Sequence, residues 1–474
     1  MSTVTLQATD LLPDTPVQRP AAIASRTEQL LRGPVLWTLL RLATPNVLVM
    51  LAQAMTGLIE TYFVARLGTD ALAGMALVFP GVMLMQMISA GAMGGGISSA
   101  IARAIGGGRR DEADDLVFHG IVIHVALGLL FMAIMLPFGL PIYRALGGRG
   151  GELQAALIYS NVVFAGNVLI WILNALSSAI RGTGNMLVPA MVICAGVVVL
   201  IPLSPCLIFG IGPFPALGIA GGALAFLLFN AAGTVVLGWY VLSGRNGARL
   251  RFAPLRWRLI GSILTVGAWS SISSVQTNVI IASATALVAG VAGADAVAGY
   301  GTGARLEYLL IPLVFGLGAP LVALVGTNIG AGQYQRALRI GLCGGAIAFA
   351  ITEAIGLATA VWPRAWLELF SADPNVISAG SDYLRAVGPF YGFFGLGLAL
   401  YFASQGAGRV GWPLFAGFVR MAVAIGGGFL ALRLTGSLSW LFAALAAGLA
   451  LHGTIVLAAV LGGAWRRATP RALR

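Results

Sequence analysis

Twelve apolar stretches, each long enough to be a membrane-crossing helix, decide what this chain can become. A helix needs about 20 apolar residues to cross the hydrocarbon of a bilayer. Such runs fall near 36–63, 71–102, 116–140, 155–180, 186–211 and 216–242. A second set falls near 259–290, 296–326, 337–361, 378–404, 411–434 and 438–464. Only 9% of the residues are charged and 58% are hydrophobic, whereas a soluble domain carries about a quarter charged. The expected fold is an all-α polytopic membrane protein of about twelve transmembrane helices.

Arginine placement tests that count. All 28 basic residues are arginine, and the net charge is +12. With the N-terminus inside, the inner segments hold 20 arginines and the outer loops 5, namely Arg66, Arg144, Arg149, Arg364 and Arg433. That asymmetry is the one expected when positive loops stay inside. The expected location is the cell inner membrane, multi-pass, with both termini cytoplasmic. The positive charge therefore reports topology and contact with anionic membrane lipids. Nucleic acid is not an expected partner, because no basic, aromatic-interleaved soluble module exists. Residues 1–34 are polar and contain Pro13, Pro16, Pro20 and Pro34. They lack a basic region followed by a short apolar core, so they read as a mobile cytoplasmic tail rather than a cleaved signal.

The chain also repeats itself. Gly182, Gly184 and Pro189 match Gly406, Gly408 and Pro413 at a spacing of 224 residues. Ile105, Gly106, Gly108 and Ala113 match Ile329, Gly330, Gly332 and Ala337 at the same spacing. Around Gly68, Asp70 and Gly74, matched by Gly293, Asp295 and Gly299, the spacing is 225. The polar stretch 243–258, SGRNGARLRFAPLRWR, separates the copies. The expected organisation is a first lobe of six helices at 35–242, an inter-lobe linker at 243–258, a second six-helix lobe at 259–464 and a basic tail at 465–474. An even number of helices per copy makes the lobes parallel repeats, a plan in which carriers place their sites within a lobe or between lobes.

The GTDALAGMALVFP turn at 68–80, the loops AIGGG and NIGAGQYQRA, the IRGTGN turn and the duplicated layout together resemble the multidrug and toxic compound extrusion (MATE) family. The resemblance covers about residues 35–460. It implies an antiporter that exports small organic, often cationic, compounds against inward flow of H⁺ or Na⁺, with no other cofactor. It also implies a cation-coupling acid late in helix one, the place of Glu60, and a polar partner on helix four, the place of Asn174. The family's N-x-x-x-D-P pattern on helix five is changed here, with Leu200 and Ser204 before Pro205. The helix-seven acid of sodium-coupled members is replaced by Gln276. That substitution favours H⁺.

The residues themselves support a coupling role for Glu60. A charge at mid-bilayer costs about 2.5–3.5 kcal/mol on insertion scales, so each needs a cavity, a partner or neutrality. Glu60 lies six residues before Arg66, or about 9 Å along a helix. A carboxyl kept from water holds its proton and releases it when wetted. The alternative is a glutamate reaching to the outer headgroups. Polar candidates for the substrate cavity are Gln53, Thr56, Tyr62, Gln276, Asn278, Arg305 and Glu307. For Glu307, Arg420 is a possible partner, and a structural ion pair is as well supported as transport. Glu353 and the single histidines His119, His124 and His452 carry no metal-ligand spacing. The three cysteines, Cys194, Cys206 and Cys343, lie in apolar runs. No hydrolase or metal motif appears, so an enzyme is not expected. A lipid-linked substrate flippase of related fold is the alternative transport reading, and a monomer is the expected state.

Overall fold

The computed structural model describes residues 21–466, and no β-strand occurs among them. In lipid every backbone polar group must find its partner within the segment, which leaves the helix as the form for apolar runs of this length. The first lobe contains α2 (Val35–Ala65) and α3 (Thr69–Gln86), preceded by α1 (Ala21–Arg32). A π-helical segment, Met87–Met93, carries α3 into α4 (Gly94–Gly106). The lobe continues with α5 (Arg110–Ala145), α6 (Gly150–Ala165), α7 (Asn167–Gly182), α8 (Leu187–Phe209) and α9 (Ile219–Leu242). The second lobe runs through α10 (Trp257–Val291), α11 (Ala294–Gly330), α12 (Tyr334–Val361), the short α13 (Pro363–Leu367) and α14 (Pro374–Val387). It ends with α15 (Tyr391–Ala407), α16 (Gly411–Met421), the π-helical segment Ala422–Gly427, α17 (Gly428–Thr435) and α18 (Leu438–Leu461). Eleven helical spans among the described residues are long and apolar enough to cross a membrane, and α6 with α7 makes a twelfth. Their outer faces carry large apolar side chains such as Val198, Val235 and Leu430 in the open, as lipid-facing helices require.

The fourth span, read from sequence as one run, is bent by 48° between α6 and α7. The break falls at Gly166, where a Cβ would lie 2.5 Å from Leu227 Cδ1. Only glycine lets α9 approach that closely. The second lobe breaks at the matching place. Its single 3-10 turn, Gly388–Phe390, contains Pro389, which has no amide hydrogen to offer a helix. Gly184 and Gly408, equivalent in the repeat, both adopt left-handed backbone with φ of +80° and +71°. Each ends a span at the arginine-rich end of the molecule.

At that same end the lobes meet across a reciprocal contact. A Cβ on Gly106 would lie 1.9 Å from the Thr327 carbonyl oxygen, and one on Gly330 would lie 2.2 Å from the Arg103 carbonyl oxygen. Both pairs are related by the 224-residue repeat, so the two backbones cross symmetrically. Polar bonds reinforce the crossing. Ser99 Oγ donates to the Gln405 carbonyl at 2.5 Å, and Arg103 Nη1 donates to the Gly406 carbonyl at 3.2 Å.

The first helix of each repeat is shared between the lobes. Leu39 and Ala43, early in α2, pack into the second-lobe core with Val314 and Leu321. Val64, late in α2, belongs to the first-lobe core. The α10 helix does the converse: Leu259 and Ile263 sit in the first-lobe core, and Ala284 and Val288 in the second. Asn46 fastens the crossing in α2, donating to the carbonyls of Phe315 and Gly316 at 3.0 and 3.1 Å.

Two details depart from the sequence reading. Residues 21–32 of the expected mobile tail form α1, whose Leu30 is buried and whose Leu30 carbonyl accepts from Asn328 at 3.1 Å. An apolar side chain in an otherwise polar stretch found a docking place that local composition does not reveal. Trp465, placed in the basic tail, is buried and donates to Ser404 Oγ at 3.1 Å. Residues 1–20 and 467–474, the remainder of both expected tails, lie outside the described residues.

Candidate ion-coupling site and its counterpart

Glu60 sits near the far end of α2 from the arginine-rich side and is turned into the first lobe, 8% exposed. Its Oε1 accepts a hydrogen bond from the Tyr159 hydroxyl of α6 at 2.7 Å. The α9 helix passes beside it at Gly222, where a Cβ would lie 3.6 Å from Oε1, in ordinary contact. Among the described residues no ion pair involves Glu60. A carboxylate removed from water without a counter-charge is costly, and one phenol bond offsets only part of that cost. The protonated acid carries no such cost.

The other candidates are dispersed. Thr56, one turn earlier on α2, is buried and donates to the Ala52 carbonyl at 3.0 Å. Gln53 and Tyr62 are exposed, and Tyr62 lies under Arg66, whose Cζ is 4.6 Å from the ring centroid. Asn174 does not join Glu60. Its Nδ2 donates to Gln86 Oε1 at 3.2 Å and to Ser89 Oγ at 3.1 Å, tying α7 to the π-helical segment. The partner expected from helix four is thus supplied by Tyr159 on the preceding half of the same bent span. Gln276 is buried against α16, where a Cβ on Gly417 would lie 2.5 Å from its Oε1. Asn278 is exposed and donates to the Ser274 carbonyl at 2.9 Å. Leu200 and Ser204, at the altered helix-five positions, are both buried.

In the second lobe Glu307 is half-buried on α11, and its Oε1 accepts from the Tyr383 hydroxyl at 2.7 Å. Tyr383 stands 224 residues after Tyr159. The two phenols are therefore repeat mates, and each holds a glutamate at the same distance. Arg305 is exposed, 5.7 Å over the Phe370 ring, and makes no ion pair with Glu307 among the described residues. Glu353 accepts the Gly392 amide at 2.7 Å and so caps the start of α15, a structural role. His119 is satisfied between the Asp115 carbonyl and the Arg256 amide, at 2.7 and 2.9 Å. No cluster of metal-binding side chains occurs among the described residues.

A duplicated helical membrane bundle in which each lobe holds a glutamate against a tyrosine is the layout of a two-lobed membrane transporter. The comparisons identify which kind. The MatE family signature matches residues 45–206 and 270–430, two copies covering most of the chain, and the chain belongs to that family. It is a transporter, not an enzyme. It is 29% identical over 381 residues to a protein named FAD transporter from Shewanella oneidensis, covering 79% of this chain and 82% of that one. It is 26% identical over 387 residues to a probable multidrug resistance protein NorM from Thermotoga maritima, covering 80% and 82%. Among solved structures it is similar to a multidrug resistance MATE family transporter of the MOP superfamily in an outward-facing conformation. That likeness has a TM-score of 0.85 and 23% identity, over 95% of this chain and 100% of the other. It shows a shared fold.

Proposed function

We propose that this protein is a proton-coupled antiporter that exports small organic compounds, often cationic, by alternating access. The observation that carries the reading is Glu60: enclosed, bonded to a phenol and free of any ion pair among the described residues. With the site open to the outer side, Glu60 takes a proton as substrate leaves. Neutralisation removes the cost of enclosing the carboxylate, so α2 repacks in a drier setting and the lobes rock. The proton then leaves inward and the next substrate binds. An ion drives such a cycle only by binding the two states differently. A proton on a group whose enclosure differs between states meets that condition.

The arginine-rich end is read as cytoplasmic, which makes the Gly106–Gly330 crossing an inner closure and this form outward-facing. Gln276 at the helix-seven position offers an amide where Na⁺ coupling would use an acid, which favours H⁺. The protein is read as a monomer of the inner membrane in contact with anionic lipid. The substrate is left at small organic compounds, because relatives are named both for FAD and for multidrug resistance. The test is efflux of a fluorescent dye from proteoliposomes with a pH gradient or a Na⁺ gradient imposed separately. Efflux driven by the pH gradient and lost in Glu60→Gln is the expected result. Efflux that follows only the Na⁺ gradient rejects H⁺ coupling.

A further inference from the structure

The second-lobe acid differs from Glu60 in having a buried guanidinium for a neighbour. Arg420 on α16 is 8% exposed, and its Cζ lies 5.8 Å from the centroid of the Phe394 ring. Phe394 belongs to the same buried cluster as Tyr300, Tyr383 and Tyr391, so Arg420 lies against the aromatic group that holds the Glu307 partner. No ion pair joins Arg420 to any carboxylate among the described residues. A chain of phenols links the region, with Tyr391 donating to Tyr383 at 3.4 Å and Tyr383 donating to Glu307 at 2.7 Å. One guanidinium and one carboxylate thus flank a single aromatic cluster, and their charges sum to zero.

The repeat gives this arrangement its meaning. Residue 196 is the first-lobe mate of Arg420 and is a glycine, with Phe229 Cε2 lying 2.3 Å from where a Cβ would be. The first lobe therefore has the tyrosine and an acid but neither a cation nor room for one at that position. We propose that Arg420 is the resident counter-cation of the second lobe, standing in for an imported ion beside the Glu307–Tyr383 pair. The second lobe then needs no H⁺ or Na⁺ to balance its acid, and ion coupling passes through the first lobe alone. This rests on the assignment of Glu60 as the coupling acid for its consequence, but not for its test.

The test is thermal unfolding of the purified full-length protein, compared in NaCl and in choline chloride of equal ionic strength and at two pH values. Four variants are needed: Arg420→Met, Arg420→Lys, Glu307→Gln and the double Glu307→Gln/Arg420→Met. Removing one partner of a buried charge pair strands the other. Arg420→Met is expected to lower the melting midpoint by roughly 5 °C or more, with part of the loss restored by Na⁺ or by acid. Arg420→Lys is expected to lose less. The double variant is expected to melt close to Glu307→Gln and to ignore Na⁺. Losses that simply add in the double variant, or an Arg420→Met protein indifferent to both Na⁺ and pH, overturn the proposal. If Arg420→Met does not fold, the double variant against Glu307→Gln decides: equal midpoints support the counter-cation, and a further drop rejects it. None of these readings requires transport, so failure of the Glu60 assignment would show separately in the efflux assay.

Discussion

The two lobes share a tyrosine and differ in where their acid comes from. Tyr159 and Tyr383 are repeat mates, and each donates to a glutamate at 2.7 Å. In the first lobe that glutamate stands on the first helix of the repeat, and in the second lobe on the second helix. The frame positions a phenol at one point, and either neighbouring helix can bring a carboxyl to it. The surroundings then separate the two pairs. Glu60 faces Gly222 and has no ion pair among the described residues, whereas the aromatic cluster that holds Tyr383 carries Arg420 over its Phe394 ring. Duplication preserved geometry and divided the chemistry.

Substitutions can break this comparison, and the largest effect is expected at Glu60. Glu60→Gln keeps the shape and removes titration, so pH-driven efflux should fall to the no-gradient background in proteoliposomes. Glu307→Gln should leave a measurable proton-driven component. Next come the crossing glycines. Gly106→Val and Gly330→Val each force a side chain onto a carbonyl of the other lobe. Overpacking of this kind costs about 1–3 kcal/mol, enough to depopulate the closed arrangement at the arginine-rich end. Both should raise thiol labelling of cysteines placed near Thr327 and Arg103, and by similar amounts, since the contact is reciprocal. Unequal responses would show that the lobes do not close symmetrically.

The tyrosines sharpen the comparison. A hydrogen bond to a charged group contributes about 1.5–3 kcal/mol. Tyr159→Phe should therefore cut proton-driven efflux about ten-fold or more, while Tyr383→Phe should act chiefly on the melting midpoint. The smallest effects belong to the linker. Asp114→Ala removes the acceptor of the Arg249 amide, bonded at 2.8 Å, and should cost about 1–2 kcal/mol. Glu112→Ala breaks solvent-facing pairs with Arg109 and Arg258 at 3.3 and 3.1 Å and should cost less than about 1 kcal/mol. Urea unfolding in detergent would rank the two.

Much of this was legible in the sequence because lipid imposes long apolar runs and the repeat imposes a period. Those constraints gave the spans, the duplication and the isolation of Glu60. Its partner was not legible, because one tyrosine on an apolar helix has no local signature. The period could have found it: 224 residues separate Tyr159 from Tyr383. The bend at Gly166 has no local signature, because glycine is common in these helices and only the approach of Leu227 makes that one decisive. The π-helical segments and the docking of α1 are products of packing between distant residues. Asn174 is the companion of Glu60 that the family resemblance implies, but the bend sends the two halves of that span to different neighbours.

The exchange of α2 and α10 between the cores bears on how the gene product can be divided. A cut in the stretch between α9 and α10 would yield fragments that each bear half a helix shaped for the other. Leu39 and Ala43 on one piece, and Leu259 and Ile263 on the other, would be left without their neighbours. Such halves should be recovered only when made together, each serving as the mould for the other's first helix.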